Sequence, residues 1–216
     1  MSKIKGHAQA HQRTEQQLLA LKQISRFIAK DMSVHDVLDG IVEQIVSYLR
    51  CDSCFLYVKD GDELVLCATH DRPVSEVGNI RLQLSEGLTG WVARERRLLA
   101  LPREAFKDPR FKTFTNLPED TFEAFLSAPI ICLNRVLGVV NVQYRQLHDH
   151  TGDDMEFLTT IGELLGSYLM LTLIEKSQVE GSHLVRSVMG DAASLKPSAS
   201  ISAAEALRFP PQEATS

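Results

Sequence analysis

The chain has 216 residues, 44% of them hydrophobic, and a formal charge of −5. That length suits one domain with extensions, or at most two small domains, with apolar side chains enough for a real core. The acidic balance argues against nucleic acid as a partner, because neutralising phosphates takes clustered Lys and Arg. The only dense basic group, Arg94, Arg96 and Arg97, suits a solvated helix end.

No apolar run follows the early lysines, so no signal peptide is read at the start. The longest apolar stretch, Leu164 to Ile174, is interrupted by Gly166, Ser167 and Thr172. It is shorter than the about 20 residues a membrane helix needs. Cysteines at 51, 54, 67 and 132 do not form the framework of a small secreted domain. The expectation is a cytoplasmic, reduced protein with neither a membrane nor a nucleic acid as partner.

Residues 1–14 are polar and read as a flexible lead-in. From Glu15 to Lys30, Leu18, Leu21, Ile24 and Ile28 recur at helical spacing. Ser33 is a candidate N-cap for a second helical pattern through Val37, Leu38, Ile41, Ile45 and Leu49, with Asp36 three residues on. A hairpin follows, Cys54 to Lys59 and Asp62 to Thr69, turning at Asp60-Gly61. That turn sets Tyr57 against Leu64 and Cys54 against Cys67. It puts Phe55, Tyr57, Leu64 and Leu66 on one face and Leu56, Val58 and Val65 on the other. A strand pair that is apolar on both faces must be covered on both.

A short strand is predicted around Ile80 to Leu84, a short helix from Leu88 to Arg96, and another strand from Leu98 to Leu101. The stretch from Arg103 to Asp120 is loop-rich, with Pro109 and Pro118 as breakers, and Thr121 to Phe125 has the look of a helical turn. A second hairpin, Leu126 to Leu133 and Val136 to Tyr144, turns at Asn134-Arg135. A long helix opens at Asp153 or Asp154 and runs through Phe157, Ile161, Leu165 and Leu169 to Ile174. From 177 to 216 the composition shifts to Ser, Ala, Pro and Gly. Such a tail is predicted disordered, with Val185 to Met189 at most a transient helix. The order predicts an α+β fold with a central six-stranded antiparallel sheet. Terminal helices cover one face, and a short helix plus a long loop cover the other.

Several residue groups admit two readings. Gly87-Leu88-Thr89-Gly90 presents free backbone N–H groups that suit an anion, or its glycines simply permit a tight strand-to-helix turn. Trp91 stacks on a planar effector or anchors its helix. Phe106, Phe111, Phe114, Phe122 and Phe125 form a lid over ligand or pin a long loop. Arg110 meets a ligand carboxylate or an acid of its own loop. Cys51-x-x-Cys54 is half a zinc pattern with no second half at ligand spacing, so no metal site is expected. No nucleophile turn or phosphate-binding glycine loop occurs.

Leu84 to Ala93, with its Gly87-x-x-Gly90-Trp91 core, then Asp108-Pro109-Arg110-Phe111, then Ala128-Pro129-Ile130-Ile131 and Val136 to Val142, then Asp153 to Leu158, follow in that order. The layout resembles the GAF family of small-molecule sensor domains over Leu18 to Glu175, which makes 15–176 the sensor domain. Within the family, Gly87 to Val142 looks closest to the sensory domain that heads nitrogen-branch phosphotransferase enzymes. The resemblance implies a pocket between the sheet and Gly87 to Phe125, and dimerisation through the first and last helices. Effectors in the family include cyclic nucleotides, tetrapyrroles, haem and small metabolites. The Asn-Lys…Phe-x-x-x-Asp-Glu pattern of the cyclic-nucleotide binders is absent, as is the Cys-His pair that attaches tetrapyrroles. The cysteine spacing of the methionine sulfoxide reductases is not matched either.

The function expected is therefore a non-catalytic homodimeric sensor. It would bind an unidentified small molecule through Thr89, Trp91, Arg110, Phe111, Phe114 and Phe122 and signal to a downstream protein. Its cofactor, if any, is unspecified. The alternatives are a thiol-based reductase using Cys54 and Cys67, and a dimerisation adaptor whose pocket is filled by its own side chains.

Overall fold

The computed structural model describes residues 2–30, 32–70, 77–111 and 122–177, with side chains from residue 11 onward. The predicted tail from 178, its candidate helix at Val185 to Met189, and Phe114 in the long loop lie outside the described residues. Six strands form one antiparallel sheet in the order β3-β2-β1-β6-β5-β4. They are β1 (Ser53–Asp60), β2 (Glu63–Thr69), β3 (Arg81–Gln83), β4 (Leu99–Leu101), β5 (Ala124–Cys132) and β6 (Arg135–Tyr144). Helices α1 (Ser2–Ile28), α2 (Val34–Leu49) and α4 (Gly152–Ser177) lie on one face, and α3 (Gly87–Glu95) lies on the other.

The two-sided hairpin dictates this layering. Leu56, Val58 and Val65 pack with Ile24 of α1, Val37, Leu38, Ile41 and Ile45 of α2, and Phe157, Ile161 and Leu165 of α4. Phe55, Tyr57, Leu64 and Leu66 pack with Leu88, Val92 and Ala93 of α3 and with Phe125 and Val139. Burying a side chain of this size contributes about 1.5–3 kcal/mol. Neither face could be left wet without large loss.

The strand faces are as predicted, but the registers are not. In the first hairpin Asp60 pairs with Glu63, so Gly61 and Asp62 occupy the turn and Gly61 takes φ 59°. Tyr57 then faces Leu66 instead of Leu64. The shift is by two residues, which leaves the side chains from Leu64 to Cys67 on their expected faces. It separates Cys54 from Cys67, because a bulge at Leu56/Tyr57 sets Leu56 against Ala68 and the His70 amide donates to the Cys54 carbonyl (3.1 Å). The second turn is Leu133-Asn134, one residue early, with both at positive φ (48° and 60°) and Arg135 already in β6. Exposed Leu133 bears that conformation because a two-residue primed turn needs it at both central positions. Ala124 and Phe125, expected in a helical turn, begin β5.

The cap expected for α2 is present, while α4, expected to open at Asp153 or Asp154, starts at Gly152 behind a Thr151 cap. The Ser33 hydroxyl accepts from the Asp36 amide (3.1 Å) at the start of α2. Thr151 and Asp154 cap α4 reciprocally, Thr151 N–H to Asp154 Oδ2 at 2.8 Å and Asp154 N–H to Thr151 Oγ1 at 3.2 Å. Residues 1–14, expected as a flexible lead-in, are helical from Ser2 on. Ala, Gln and Lys are good helix formers there, and Arg13 is tied to Asp154 of α4. By length and composition α4 is apolar enough to cross a membrane. Its apolar run is longer than Leu164 to Ile174 because Phe157, Leu158 and Ile161 extend it, and these three are fully buried against the sheet.

Helix α4 lies unusually close to β5. A Cβ on Gly162 would stand 2.5 Å from the Pro129 carbonyl oxygen, and one on Gly166 would stand 2.2 Å from that of Ile131. Gly166→Ala is therefore predicted to destabilise, despite alanine's helix preference of about 1 kcal/mol. Overpacking of this kind costs about 1–3 kcal/mol, so thermal unfolding followed by circular dichroism should show a midpoint several degrees lower. Gly152→Ala has no atom within 4 Å to meet and should be neutral or slightly stabilising. Equal midpoints for the two variants would contradict this packing.

Candidate functional site

The side of the sheet covered by α3 carries the residues singled out by sequence. Helix α3 starts from a tight turn in which Gly87 takes φ 67° and the Gly90 amide donates to the Glu86 carbonyl (3.0 Å). A Cβ on Gly90 would come within 2.6 Å of the Leu84 carbonyl oxygen. Both glycines are thus explained by the turn. A carboxylate, Glu86, occupies the N-cap position and accepts from the Gln83 amide (3.0 Å), which disfavours an anion there. Thr89 is buried, and its hydroxyl accepts from Asn141 Nδ2 (2.8 Å), while Asn141 Oδ1 accepts from Ser127 (2.6 Å). This network joins α3 to β6 and β5. Its signal in the sequence was a polar residue amid apolar neighbours in each of two strands, Ser127 between Leu126 and Ala128 and Asn141 between Val140 and Val142.

Trp91 and Phe111 are half-buried against the same apolar cluster. The Arg110 guanidinium lies 4.7 Å from the centre of the Trp91 ring, within cation–π range. It also grips Asp108 at two points, Nε to Oδ1 at 2.8 Å and a terminal nitrogen to Oδ2 at 2.7 Å. That grip holds the Asp108 carboxyl below the usual carboxylate range. The two readings of Arg110 are therefore not equal: an acid of its own loop already occupies the fork. Thr89, Trp91, Arg110 and Phe111 share the α3 side. Phe122 is buried two residues before β5, with the Arg145 guanidinium 6.0 Å from its ring.

On the helical side a second polar cluster joins the chain after β6 to α1 and α4. The Tyr144 and His148 rings stack at 3.8 Å, and His150 lies 5.2 Å from His148 with its Nε2 at 3.2 Å from the Leu101 carbonyl. His148 Nε2 is 4.0 Å from Asp154, the residue that Arg13 and Thr151 hold. Burial disfavours the charge of Asp154, but the Thr151 amide and hydroxyl and the Arg13 guanidinium outweigh it and keep the carboxyl low. Burial lowers the pKa of His150, despite the Leu101 carbonyl. Among the described residues no group of three His, Cys, Asp or Glu side chains is placed to hold a metal ion.

Three of the four cysteines offer little nucleophilic character. Cys51, Cys54 and Cys67 are buried free thiols. Burial pushes Cys51 and Cys67 up to about 12 and Cys54 well above its ordinary value.

A pH dependence follows from His150. Its folded pKa lies below the unfolded value of about 6.5, so the unfolded chain takes up the proton first as pH falls. The stability His150 contributes is complete above about pH 6.5 and is lost as pH drops through the window down to its folded pKa. Urea midpoints measured from pH 7.5 to 5 should fall, and His150→Gln should flatten part of that fall. An unchanged slope in the variant would contradict the burial of this imidazole.

A model of the GAF domain matches residues 31–170. Among curated proteins, the phosphoenolpyruvate-dependent phosphotransferase system protein of Escherichia coli K12 is 29% identical over 154 residues. That match covers 70% of this chain and 20% of that protein, so the chain spans about a fifth of the relative's length. The GAF domain of an Acinetobacter phosphoenolpyruvate-protein phosphotransferase superposes with a TM-score of 0.64 at 30% identity, covering 76% of this chain and 96% of the other. The corresponding domain from Coxiella burnetii gives 0.68 at 27%, covering 77% and 97%. Free methionine-R-sulfoxide reductase of Neisseria meningitidis is alike in fold alone, with a TM-score of 0.57 at 14% identity over 70% of this chain and 89% of the other. With most of its length matched by the family model and its layers superposing on solved members, the chain belongs to the GAF domain family.

Proposed function

We propose that this GAF domain is a non-catalytic sensor that binds a small molecule on its α3 side and relays its occupancy through α1 and α4 to a partner protein. The observation that carries this reading is the asymmetry of the two covers. Three long helices seal one face of the sheet, whereas the other has a nine-residue helix beside which Trp91, Arg110 and Phe111 stay partly exposed. A ligand enclosed there would bear on α3 and, through Thr89 and Asn141, on the strands behind it.

The relay would end in the terminal helices. Arg13 links α1 to α4, and the glycines of α4 set that helix hard against β5. Leu18 and Leu19 on α1 and Leu171 on α4 are 51%, 59% and 66% exposed, which suits contact with a second copy. Relatives that carry this domain within phosphotransferases support a partner of that class. Ligand control of such a partner requires different affinities for two states of the domain.

The reductase reading is disfavoured because Cys54 and Cys67 are buried, not paired across the strands, and hard to ionise. An aromatic disulfide reagent is predicted to leave Cys51, Cys54 and Cys67 unmodified in the native protein and to titrate all four thiols in denaturant. Rapid native labelling of Cys54 or Cys67 would reopen that reading.

Thermal-shift screening against nucleotides, amino acids and 2-oxo acids tests the sensor directly. An effector at a hundred times its Kd adds about 2.7 kcal/mol of stability. Trp91→Leu is expected to weaken its binding about tenfold or more, with a smaller effect from Phe122→Leu. No stabilisation by the panel or by the small-molecule fraction of a cell extract would favour the adaptor reading instead.

A further inference from the structure

The sheet surface facing α3 is polar at one corner, where packing alone calls for apolar residues. In register across four strands, Thr69 faces Phe55, Phe55 faces Asn141, and Asn141 faces Ser127. In the next row Ser53 faces Gln143, which faces Phe125. Alternation sets Ser53, Ser127, Asn141 and Gln143 toward α3, because Tyr57, Phe125 and Val139 of the same strands pack in the α3 cluster, and the bulge in the β1–β2 pairing turns Thr69, the partner of Phe55, to that side too. Asn141 and Ser127 satisfy one another and Thr89. The other three are different. Ser53 Oγ, Thr69 Oγ1 and Gln143 Oε1 are all buried and make no hydrogen bond, and Ser53 is fully enclosed.

A buried oxygen with no partner is a net cost to the fold. Three in two adjacent rows, on the one face that a short helix covers, mark a place built for something else. We infer that Ser53, Thr69 and Gln143 form the recognition corner for a small uncharged molecule that presents N–H or O–H donors, such as a primary amide or a polyol. The amide oxygen of Gln143 accepts, and the two hydroxyls accept or donate, so a neutral amide or hydroxyl group finds complements for both its polarities. Neither row contains an ionisable side chain. Among the described residues, a carboxylate or phosphate buried there would find no counter-charge in either row, and the Arg110 fork is held by Asp108. This inference rests on the sensor reading above and specifies the chemistry of its site.

Acetamide and acetate are the probes, since they match in shape and differ in charge and donors. In 15N-labelled protein, the side-chain amide signals of Asn141 and Gln143 are expected to shift saturably with acetamide and to be unmoved by acetate. Thr69→Val and Gln143→Leu should each weaken acetamide binding at least about fivefold, read from Asn141. Without ligand, Thr69→Val should melt no lower than the wild type, because it removes an unpartnered hydroxyl. Three results overturn the assignment: acetate moving these signals as strongly, no saturable shift with acetamide, or variants that melt lower while binding is unchanged. If an effector from the thermal-shift panel stabilises the wild type and both variants equally, the corner is refuted and the sensor survives. If nothing stabilises the wild type, the sensor reading itself has failed.

Discussion

A β-hairpin that is apolar on both faces constrains everything else in this molecule. Phe55, Tyr57, Leu64 and Leu66 on one side and Leu56, Val58 and Val65 on the other all need cover, and no single helical layer can provide it. The chain meets the demand with its two ends and its middle. Helices α1, α2 and α4 come together on one face, while α3 and the turn before it close the other. Strand order follows, since β1 and β6 at the centre of the sheet carry the residues that both layers must reach.

The two covers differ in kind. The helical side is continuous and tightly set, with Phe157, Ile161 and Leu165 fully buried and two glycines letting α4 approach the β5 carbonyls. The α3 side mixes apolar packing with a buried hydrogen-bond network and a cation stacked on an indole. Buried polar atoms with no hydrogen-bond partner occur on both sides: those of Ser53, Thr69 and Gln143 toward α3, and Tyr48 Oη, His148 Nε2 and His150 Nδ1 on the helical side. Asn141 sits on a central strand and touches both α3 and β5, which ties the α3 side to the strands that α4 packs against.

The layering was legible in the sequence because it rests on which side chains alternate, and alternation survives a two-residue error in register. The turn positions were not. Asp60-Gly61 and Asn134-Arg135 were reasonable turn pairs, yet the chain turns at Gly61-Asp62 and Leu133-Asn134, where the bulge and the pairing to β6 decide between neighbours. Motif order was enough to bring Thr89, Trp91, Arg110 and Phe111 to one side of the sheet. For Phe122, just before β5, an aromatic in a loop carries no periodicity to say which face it joins. The polar corner was missed for a related reason: Ser53, Thr69 and Gln143 look unremarkable one strand at a time, and only the cross-strand register brings them side by side.

The account stands or falls on both faces of the sheet being enclosed. Hydroxyl-radical labelling of the native protein, read residue by residue, tests this most directly. Phe55, Tyr57 and Leu66 should be protected as fully as Leu56 and Val65, with Leu133 and Leu147 heavily modified as internal standards of exposure. Modification of Tyr57 or Leu66 at a rate approaching that of Leu133 would leave one side of the sheet open to water and contradict the architecture and the sensor built on it.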